Sequence, residues 1–534
     1  KECVMTTSRQ LHIDKLSNQF RGIISVSKSP QENEIFISTK KENLVDVCLY
    51  IQDTFNASLS SMICNDERGL NKYFKIYYVF SLTGEDTFLI VNIPVSEQQP
   101  DFPSITPKIP AAHWYEREIK DMFGLEPVGH PDPYTLVLHG NFPDNTYPLR
   151  KDFNINTRLP HLESKLPFKR VEGEGVFEIP VGPIHAGIIE PGHFRFSAVG
   201  DSILYLDAKL FYTHKGTEKI FEAMPFTKAL FLAERICGVC AASHATGYCQ
   251  AIEKVAGVEI PPRAKFIRTV ILELERLYNH IGDVGNVCAG ASFLMCASHG
   301  FRIREYLQKL NETITGNRYL RGIITIGGVR FDIDYDLKER ILNLLTIIKK
   351  DFKELIDIMF ASSSLLDRME TTGRLSTETA KGLGVVGVPA RASGICRDTR
   401  INHPYAAYSE VDFDIPVYYN EGDVCARVKV RIDEVYQSIS IIEQCFSKMP
   451  EGSIKTTIKE LPPYKQALSY VESPRGEDIY WVMTAPNNRL FRYKVRSPSF
   501  CNWPAIPYTI PGNIVPDFPL INKSFELCYS CTDL

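Results

Sequence analysis

The sequence has no excess of charge of either sign: 60 Lys and Arg stand against 64 Asp and Glu, a formal net charge of −4. A chain so balanced carries neither the basic stripe that nucleic acid requires nor a polybasic patch for a membrane surface. Long apolar runs are missing too. The most apolar stretch, 341–360, is broken by Lys349, Lys350, Asp351, Lys353 and Glu354, which fits an amphipathic helix and not a membrane span. The opening Lys1-Glu-Cys-Val-Met5 has no apolar core of a signal peptide, and the chain contains no internal repeats or low-complexity tracts. The expectation is a soluble subunit whose membrane association, if any, comes through partners. The 14 cysteines form no evident paired framework, which suits a reducing compartment better than a secreted disulfide scaffold. The length of 534 residues, 44% of them hydrophobic, allows a large core and two or three domains.

The first part of the chain reads as a small α/β module. Alternation over 34–39 predicts a strand, apolar spacing over 40–55 a helix, and 73–80 with 87–93 around Thr83-Gly-Glu a hairpin. The proline-rich 100–110 must be extended, and 111–123 looks helical, with Trp114, Glu118 and Asp121 neighbouring one another along its surface. Residues 153–170, rich in Asn, Pro and charge, read as a linker. Strands are then expected around 175–196 and 203–212. The loop between Pro180 and His193 places His185 and Glu190 among glycines and prolines, which let backbone approach a site closely. From Pro225 the pattern turns helical: 227–236, 241–256, 263–281, 297–315, 337–360 and 426–449. The last eighty or so residues return to short strands and proline-rich loops.

Against this background two Cys-x-x-Cys pairs stand out, Cys237-Gly-Val-Cys240 and Cys528-Tyr-Ser-Cys531. Such spacing lets two thiolates on one turn converge on one metal, and about 0.4 such pairs are expected by chance from this many cysteines. His244 follows Cys240 by four residues, so a helix beginning at the first pair puts the imidazole beside the same metal. Four thiolates gathered from distant parts of the chain need a metal or cluster to neutralise them. Unrelated buried cysteines and a structural zinc are the plainer alternatives. An iron–sulfur cluster, with three of its four Cys usually close in sequence, fits two separated pairs less well.

Two stretches carry resemblances. Trp114-Tyr-Glu-Arg-Glu-Ile-Lys-Asp-Met-Phe-Gly124, with Gly129-His-Pro-Asp132 and Pro148-Leu-Arg-Lys-Asp152, resembles the 30-kDa subunit of respiratory complex I. Arg235-Ile-Cys-Gly-Val-Cys-Ala-Ala-Ser-His244 and Ser524-Phe-Glu-Leu-Cys-Tyr-Ser-Cys531 resemble the two ligand motifs of nickel–iron hydrogenase large subunits. Pro191-Gly-His-Phe-Arg195, Gly327-Gly-Val-Arg330, Arg391-Ala-Ser-Gly394, Cys396-Arg-Asp-Thr399 and Pro474-Arg-Gly-Glu-Asp-Ile479 extend the likeness over nearly the whole chain. A complex I 30-kDa-like module fused ahead of a 49-kDa-like body is similar to the membrane-bound, energy-converting hydrogenases of the formate hydrogenlyase type, hydrogenase-3 and hydrogenase-4.

The resemblance implies an α+β fold. A small α/β docking domain would span 1–152, a linker 153–170, and a mostly helical catalytic domain with peripheral β-strands 171–534. It implies a nickel–iron centre with carbonyl and cyanide on the iron, Cys237 and Cys528 as terminal nickel ligands and Cys240 and Cys531 as bridges. Arg475 would overhang the open metal site, Ser524 would donate to a cyanide, and Glu218 would be a supporting carboxylate. Glu190 would relay protons with His185 in support, and His244 would sit at the rim. A magnesium or iron ion near the C-terminus also belongs to the pattern. The implied partners are an iron–sulfur small subunit of the complex I kind, a ferredoxin-like electron carrier, a formate dehydrogenase module, membrane-arm subunits and a maturation endopeptidase, with no nucleic acid. The implied place is cytoplasmic, peripheral on the inner face of the membrane. Two positions depart from the family: Glu526-Leu527 stands where Asp-Pro is usual, and Leu534 where His or Arg is usual. The end at Leu534 fits a processed terminus and a truncation equally. A complex I-like quinone-reducing subunit without nickel and a structural zinc protein are the competing readings, and metal analysis separates all three.

Overall fold

A computed structural model describes residues 2–28, 33–160, 162–163, 168–185 and 189–534. Parts of the expected linker and of the Pro180–His193 loop lie outside the described residues. The chain divides into two compact units, 1–167 with 382–384, and 168–381 with 385–534.

In the first unit, helix α1 (Glu2–Gln19) precedes a five-stranded sheet of β1 (Ser25–Lys28), β2 (Glu34–Ser38), β3 (Ala57–Asp66), β4 (Phe74–Leu82) and β5 (Phe88–Val95). The strand order is β1-β2-β5-β4-β3, with β2 and β5 parallel and every other neighbour antiparallel. A parallel pair needs a crossover, here made through α2 (Leu44–Phe55), β3 and β4. Helix α2 buries Leu44, Val47, Cys48 and Ile51, the spacing of one helical face. Strand β3 was not among the sequence expectations, its polar Ser60, Ser61, Asn65 and Asp66 hiding a strand that is buried almost throughout.

Helix α3 (His113–Phe123) forms where expected; Glu118 is half-buried, but Glu116 and Asp121 are buried. Asp121 is buried, and one carboxylate oxygen accepts from the Leu136, Val137 and Leu138 amides. Glu116 accepts from the Ser104 and Thr106 hydroxyls on one oxygen and from the Ile105 amide on the other. These carboxylates knit the irregular backbone around the helix, satisfying donors that would otherwise be buried unpaired.

The second unit opens with an antiparallel sheet of β6 (Phe177–Val181), β7 (His193–Val199) and β8 (Ser202–Lys209), then turns helical: α4 (Phe226–Ala233), α5 (Ala241–Ala256), α6 (Pro262–Gly290), α7 (Leu294–Thr315), α8 (Tyr335–Ala361) and α9 (Val424–Lys448). An antiparallel meander of β9 (Gln466–Ser473), β10 (Gly476–Ala485) and β11 (Arg489–Arg496) follows, then α10 (Phe518–Phe525) and α11 (Tyr529–Asp533). This is the α+β architecture expected from the sequence. Helix α6 outruns its expected end at 281 because Gly285 packs instead of breaking it. A Cβ on Gly300 of α7 would lie 2.9 Å from the Gly285 Cα, so the two helices cross backbone to backbone. Helix α6 is buried on nearly every side, yet carries Glu273, Glu275, Arg276, His280 and Asp283, so each charge must find a partner inside.

Candidate metal centre

The first cysteine pair occupies the turn between α4 and α5, with Cys240 at the N-cap of α5. The unpaired amides of that helix start are met by Glu275 of α6, whose carboxylate accepts from the Ala242 and Ser243 amides at 2.7 and 2.9 Å. Burial pushes the Glu275 carboxyl up to about 7, against these hydrogen bonds. Tyr278 and Asn279, on the next turn of the same helix, both donate to the Val239 carbonyl at 2.8 and 2.9 Å and fix the cysteine turn.

The second pair begins α11. The Cys528 sulfur accepts from the Cys531 amide at 3.3 Å, and the Cys528 amide donates to Ser499 Oγ at 2.9 Å. Ser497 donates to the Cys531 carbonyl at 2.9 Å. Beyond the pair, Asp533 is buried and accepts from the Phe211 and Thr213 amides and the Thr213 hydroxyl, at 2.8, 3.0 and 2.8 Å.

These turns bring the sulfurs together. Cys237 Sγ and Cys528 Sγ are 3.2 Å apart, and the sulfurs of Cys237, Cys528 and Cys531 all lie within 4.8 Å of one another. Cys240 packs into the same cluster with Cys237 and Cys531. The separation is far beyond a disulfide bond of about 2.0 Å, and it suits sulfurs sharing one centre at about 2.3 Å each. Hydrogen bonds from Cys240, Cys528 and Cys531 hold the Cys237 thiol well below its ordinary value. The donor set therefore fits a soft, thiolate-bound metal centre.

Of the residues singled out from the sequence beside the cysteines, His244 meets a sulfur directly. His244 is wholly buried, with Nε2 3.4 Å from Cys531 Sγ and Nδ1 2.9 Å from the Tyr480 hydroxyl. Burial drops its pKa to about 4, so the ring is neutral; Tyr480 donating to Nδ1 leaves Nε2–H for the sulfur. Arg475 sits in the β9–β10 turn and grips Asp283 of α6 with both terminal nitrogens, Nη2 to Oδ1 at 3.1 Å and Nη1 to Oδ2. Its Nε is buried without a partner. The turn reaches this depth because residue 387 is glycine: a Cβ there would lie 2.3 Å from the Arg475 carbonyl oxygen, at a φ of +71°. Glu190 accepts from the Ser530 hydroxyl at 2.5 Å, inside the second pair. His185 lies 5.4 Å from the Phe194 ring, with no hydrogen bond to Glu190 among the described residues, and burial lowers its pKa.

Ser524 is buried, and its Oγ donates to the Ile521 carbonyl at 2.6 Å and accepts from Arg427 Nε at 2.8 Å. The serines on the second pair are Ser497 and Ser499. Glu218 is buried and pairs with Arg492 and Lys494 at 2.8 and 3.3 Å.

Sequence reasoning missed the buried ionic chain that braces Arg475. Asp283 also meets Arg431 at 3.3 Å and His280 at 3.8 Å, His280 Nε2 meets Glu434 at 2.8 Å, and Glu434 meets Arg391 at 2.7 Å. The only sequence signal was charge on a helix otherwise patterned for the core.

Comparison with known proteins follows the same division. Residues 37–159 match the family described as respiratory-chain NADH dehydrogenase, 30 Kd subunit. Residues 290–467 and 456–534 match its 49 Kd subunit, and 215–283, with the first cysteine pair, match nickel-dependent hydrogenase. Formate hydrogenlyase subunit 5 of Escherichia coli (strain K12) is 36% identical over 531 residues, covering 98% of this chain and 93% of the relative. The chain belongs to the nickel–iron hydrogenase large subunits of the formate hydrogenlyase type. Hydrogenase-4 component G of the same organism is 36% identical over 97% of the chain and 91% of its own length. Carbon monoxide-induced hydrogenase of Rhodospirillum rubrum is 33% identical over 67% of the chain and 99% of its own length. Among the described residues of this hydrogenase, no helix is long and apolar enough to cross a membrane.

Proposed function

We propose that this chain is the catalytic subunit of a complex that reduces protons to hydrogen, or runs the reverse, at a nickel–iron centre held by Cys237, Cys240, Cys528 and Cys531. In this reading Cys237 and Cys528 would serve as terminal ligands to nickel, and Cys240 and Cys531 would hold nickel and an iron with its carbonyl and cyanide together. The observation that carries it is the convergence of both pairs on one buried point. Bound there, the metal pair supplies the electron exchange and Lewis acidity that hydrogen chemistry needs.

The chain's own groups do the remaining work. The Cys528 sulfur takes the first proton, and Glu190, tied to the second pair through Ser530, passes it outward. Neutral His244 donates to Cys531 and moderates the basicity of that sulfur. Arg475, locked by Asp283, keeps a positive charge and an unspent Nε–H at the rim. Electrons come from iron–sulfur clusters on a small subunit of the complex I kind, fed through a ferredoxin-like carrier from formate oxidation. The 30-kDa-like domain docks the chain to its partners. Membrane-arm subunits hold the complex on the inner face of the cytoplasmic membrane and couple it to ion translocation, and an endopeptidase completes maturation.

The match to the 49 Kd subunit of NADH dehydrogenase keeps a quinone-reducing reading in play, but a quinone pocket has no use for four gathered thiols. Metal analysis and infrared spectroscopy on the purified complex decide. Nickel and iron with carbonyl and cyanide bands are expected; zinc, or no metal and no bands, would overturn the proposal.

A further inference from the structure

Strand β10 aims one more acid towards the cysteine centre. Side chains alternate along a strand, so Asp478 and Tyr480 share a face. That face packs on α5, where the Tyr480 ring leaves no room for a Cβ on Gly247. The Tyr480 hydroxyl meets His244, whose other nitrogen meets Cys531. On the neighbouring strand Arg496 pairs with Ile479, so Ser497, the next residue, falls opposite Asp478 and donates to the Cys531 carbonyl. Asp478 therefore stands between two groups that reach the second cysteine pair, three residues beyond Arg475.

Asp478 is 1% exposed, and neither carboxyl oxygen has a hydrogen-bond partner among the described residues. The donors around it are committed elsewhere: Ser473 to the Gly476 carbonyl at 3.0 Å, Tyr480 to His244, Ser497 to Cys531, and Arg475 to Asp283. A carboxylate shut away from water without donors is untenable, so the group is a neutral acid. Burial pushes its carboxyl well above the ordinary value, Cys237 and Glu472 push the same way, and Ser473 and Arg496 do not offset them. The chain supplies no acceptor for its O–H hydrogen, and a buried hydrogen bond left unmade is costly.

We infer that Asp478 donates a hydrogen bond to an anionic ligand of the metal pair, the cyanide on iron in the reading above, on which this inference rests. A trapped water is the poorer occupant, since it needs about two to four polar partners and those nearby are already bonded. Donation to the anion draws charge from it and so lowers the electron density on the iron. The acid destabilises the empty chain and is answered only when the centre is filled.

The test compares wild type, Asp478→Leu and Asp478→Asn as purified complexes with nickel and iron counted. Infrared spectra are taken in H2O and D2O, and thermal midpoints before and after a chelator strips the metal. Asp478→Leu fills similar space with no hydrogen to donate. It should keep nickel, displace a cyanide band, and lose the small H2O-to-D2O shift that this band shows in wild type. Once stripped, it should melt a few degrees above stripped wild type, because leucine leaves no bond unmade; a carboxylate satisfied by the chain would give the opposite sign. Asp478→Asn, whose NH2 still donates, should keep the isotope shift. Cyanide bands in Asp478→Leu that match wild type in both solvents would overturn the inference, as would a lower midpoint in the stripped variant. If Asp478→Leu does not assemble, the smaller Asp478→Val carries the same two readings. A wild type without carbonyl or cyanide bands would sink the hydrogenase proposal itself, whereas bands that Asp478→Leu leaves unmoved sink this inference alone.

Discussion

Asp283→Asn is the sharpest probe of what holds Arg475 in place. The substitution keeps size and shape but removes the single negative charge shared by Arg475, Arg431 and His280. It also turns an amide NH2 towards arginines, which can only donate. Asp283 is 5% exposed and Arg475 6%, so water cannot make good the loss. Breaking a buried pair typically costs about 3–5 kcal/mol, and two arginines left facing one another place the expectation near the top of that range. At about 2 cal/mol/K per residue, the roughly 360 residues of the larger unit lose about 7 °C of thermal midpoint for about 5 kcal/mol. The assay is thermal unfolding of the holoenzyme with nickel counted beforehand, and Asp283→Glu, which keeps the charge, should recover much of the midpoint. An Asp283→Asn enzyme melting within a degree of wild type would show that Arg475 is held by something other than this carboxylate.

Cys237→Ser, Cys240→Ser, Cys528→Ser and Cys531→Ser should each abolish hydrogen evolution and nickel retention, whereas Cys48→Ser, Cys249→Ser and Cys445→Ser, at buried packing positions, should leave nickel content near wild type. Glu190→Gln can still accept from Ser530 but cannot cycle a proton, so it should keep nickel and lose about 10²–10⁴-fold in hydrogen–deuterium exchange; undiminished exchange would move the proton route elsewhere. Glu477 supplies a pH test. Burial raises its carboxyl, but Arg397 and Arg496 outweigh this and hold it at about 2, below its ordinary 4.5. The stability it contributes is therefore present above about pH 4.5 and disappears as pH falls towards 2, an amount of about 3 kcal/mol. Urea midpoints of wild type and Glu477→Gln should converge over that window, and a constant gap would refute the assignment.

Much of the fold was legible because local chemistry and burial agree. The expected helix over 241–256 coincides with α5, ended by Gly257 at a φ of +65°, and the amphipathic stretch 341–360 falls within α8. Cysteine spacing likewise pointed to where sulfurs could meet. What the residues could not reveal were pairings made across long separations, which leave no period to read. Asp283 and Arg475 are 192 positions apart, and Glu218 and Arg492 are 274. The same blindness hid the burial of Asp121, since a helix pattern does not show that a later loop folds back over it. Ser499, which no sequence pattern singled out, lies 29 positions from Cys528, yet the fold delivers its hydroxyl to the Cys528 amide.

The separation of the two cysteine pairs bears on how the molecule comes apart. Cys237 and Cys528 are 291 positions distant, and most of the larger unit is threaded between them. Any ion gripped by both pairs therefore acts as a buckle on that loop, much as a cross-link would. By the chain-entropy relation, tying a loop of this length takes about 6 kcal/mol of freedom away from the opened chain. The benefit is not felt at the sulfurs alone. It is spread over every helix inside the loop, so that α8 and α9, which supply no thiol to the centre, owe part of their persistence to it. Letting the ion go would slacken the whole unit at once, and fraying would be free to start at points remote from the cysteines.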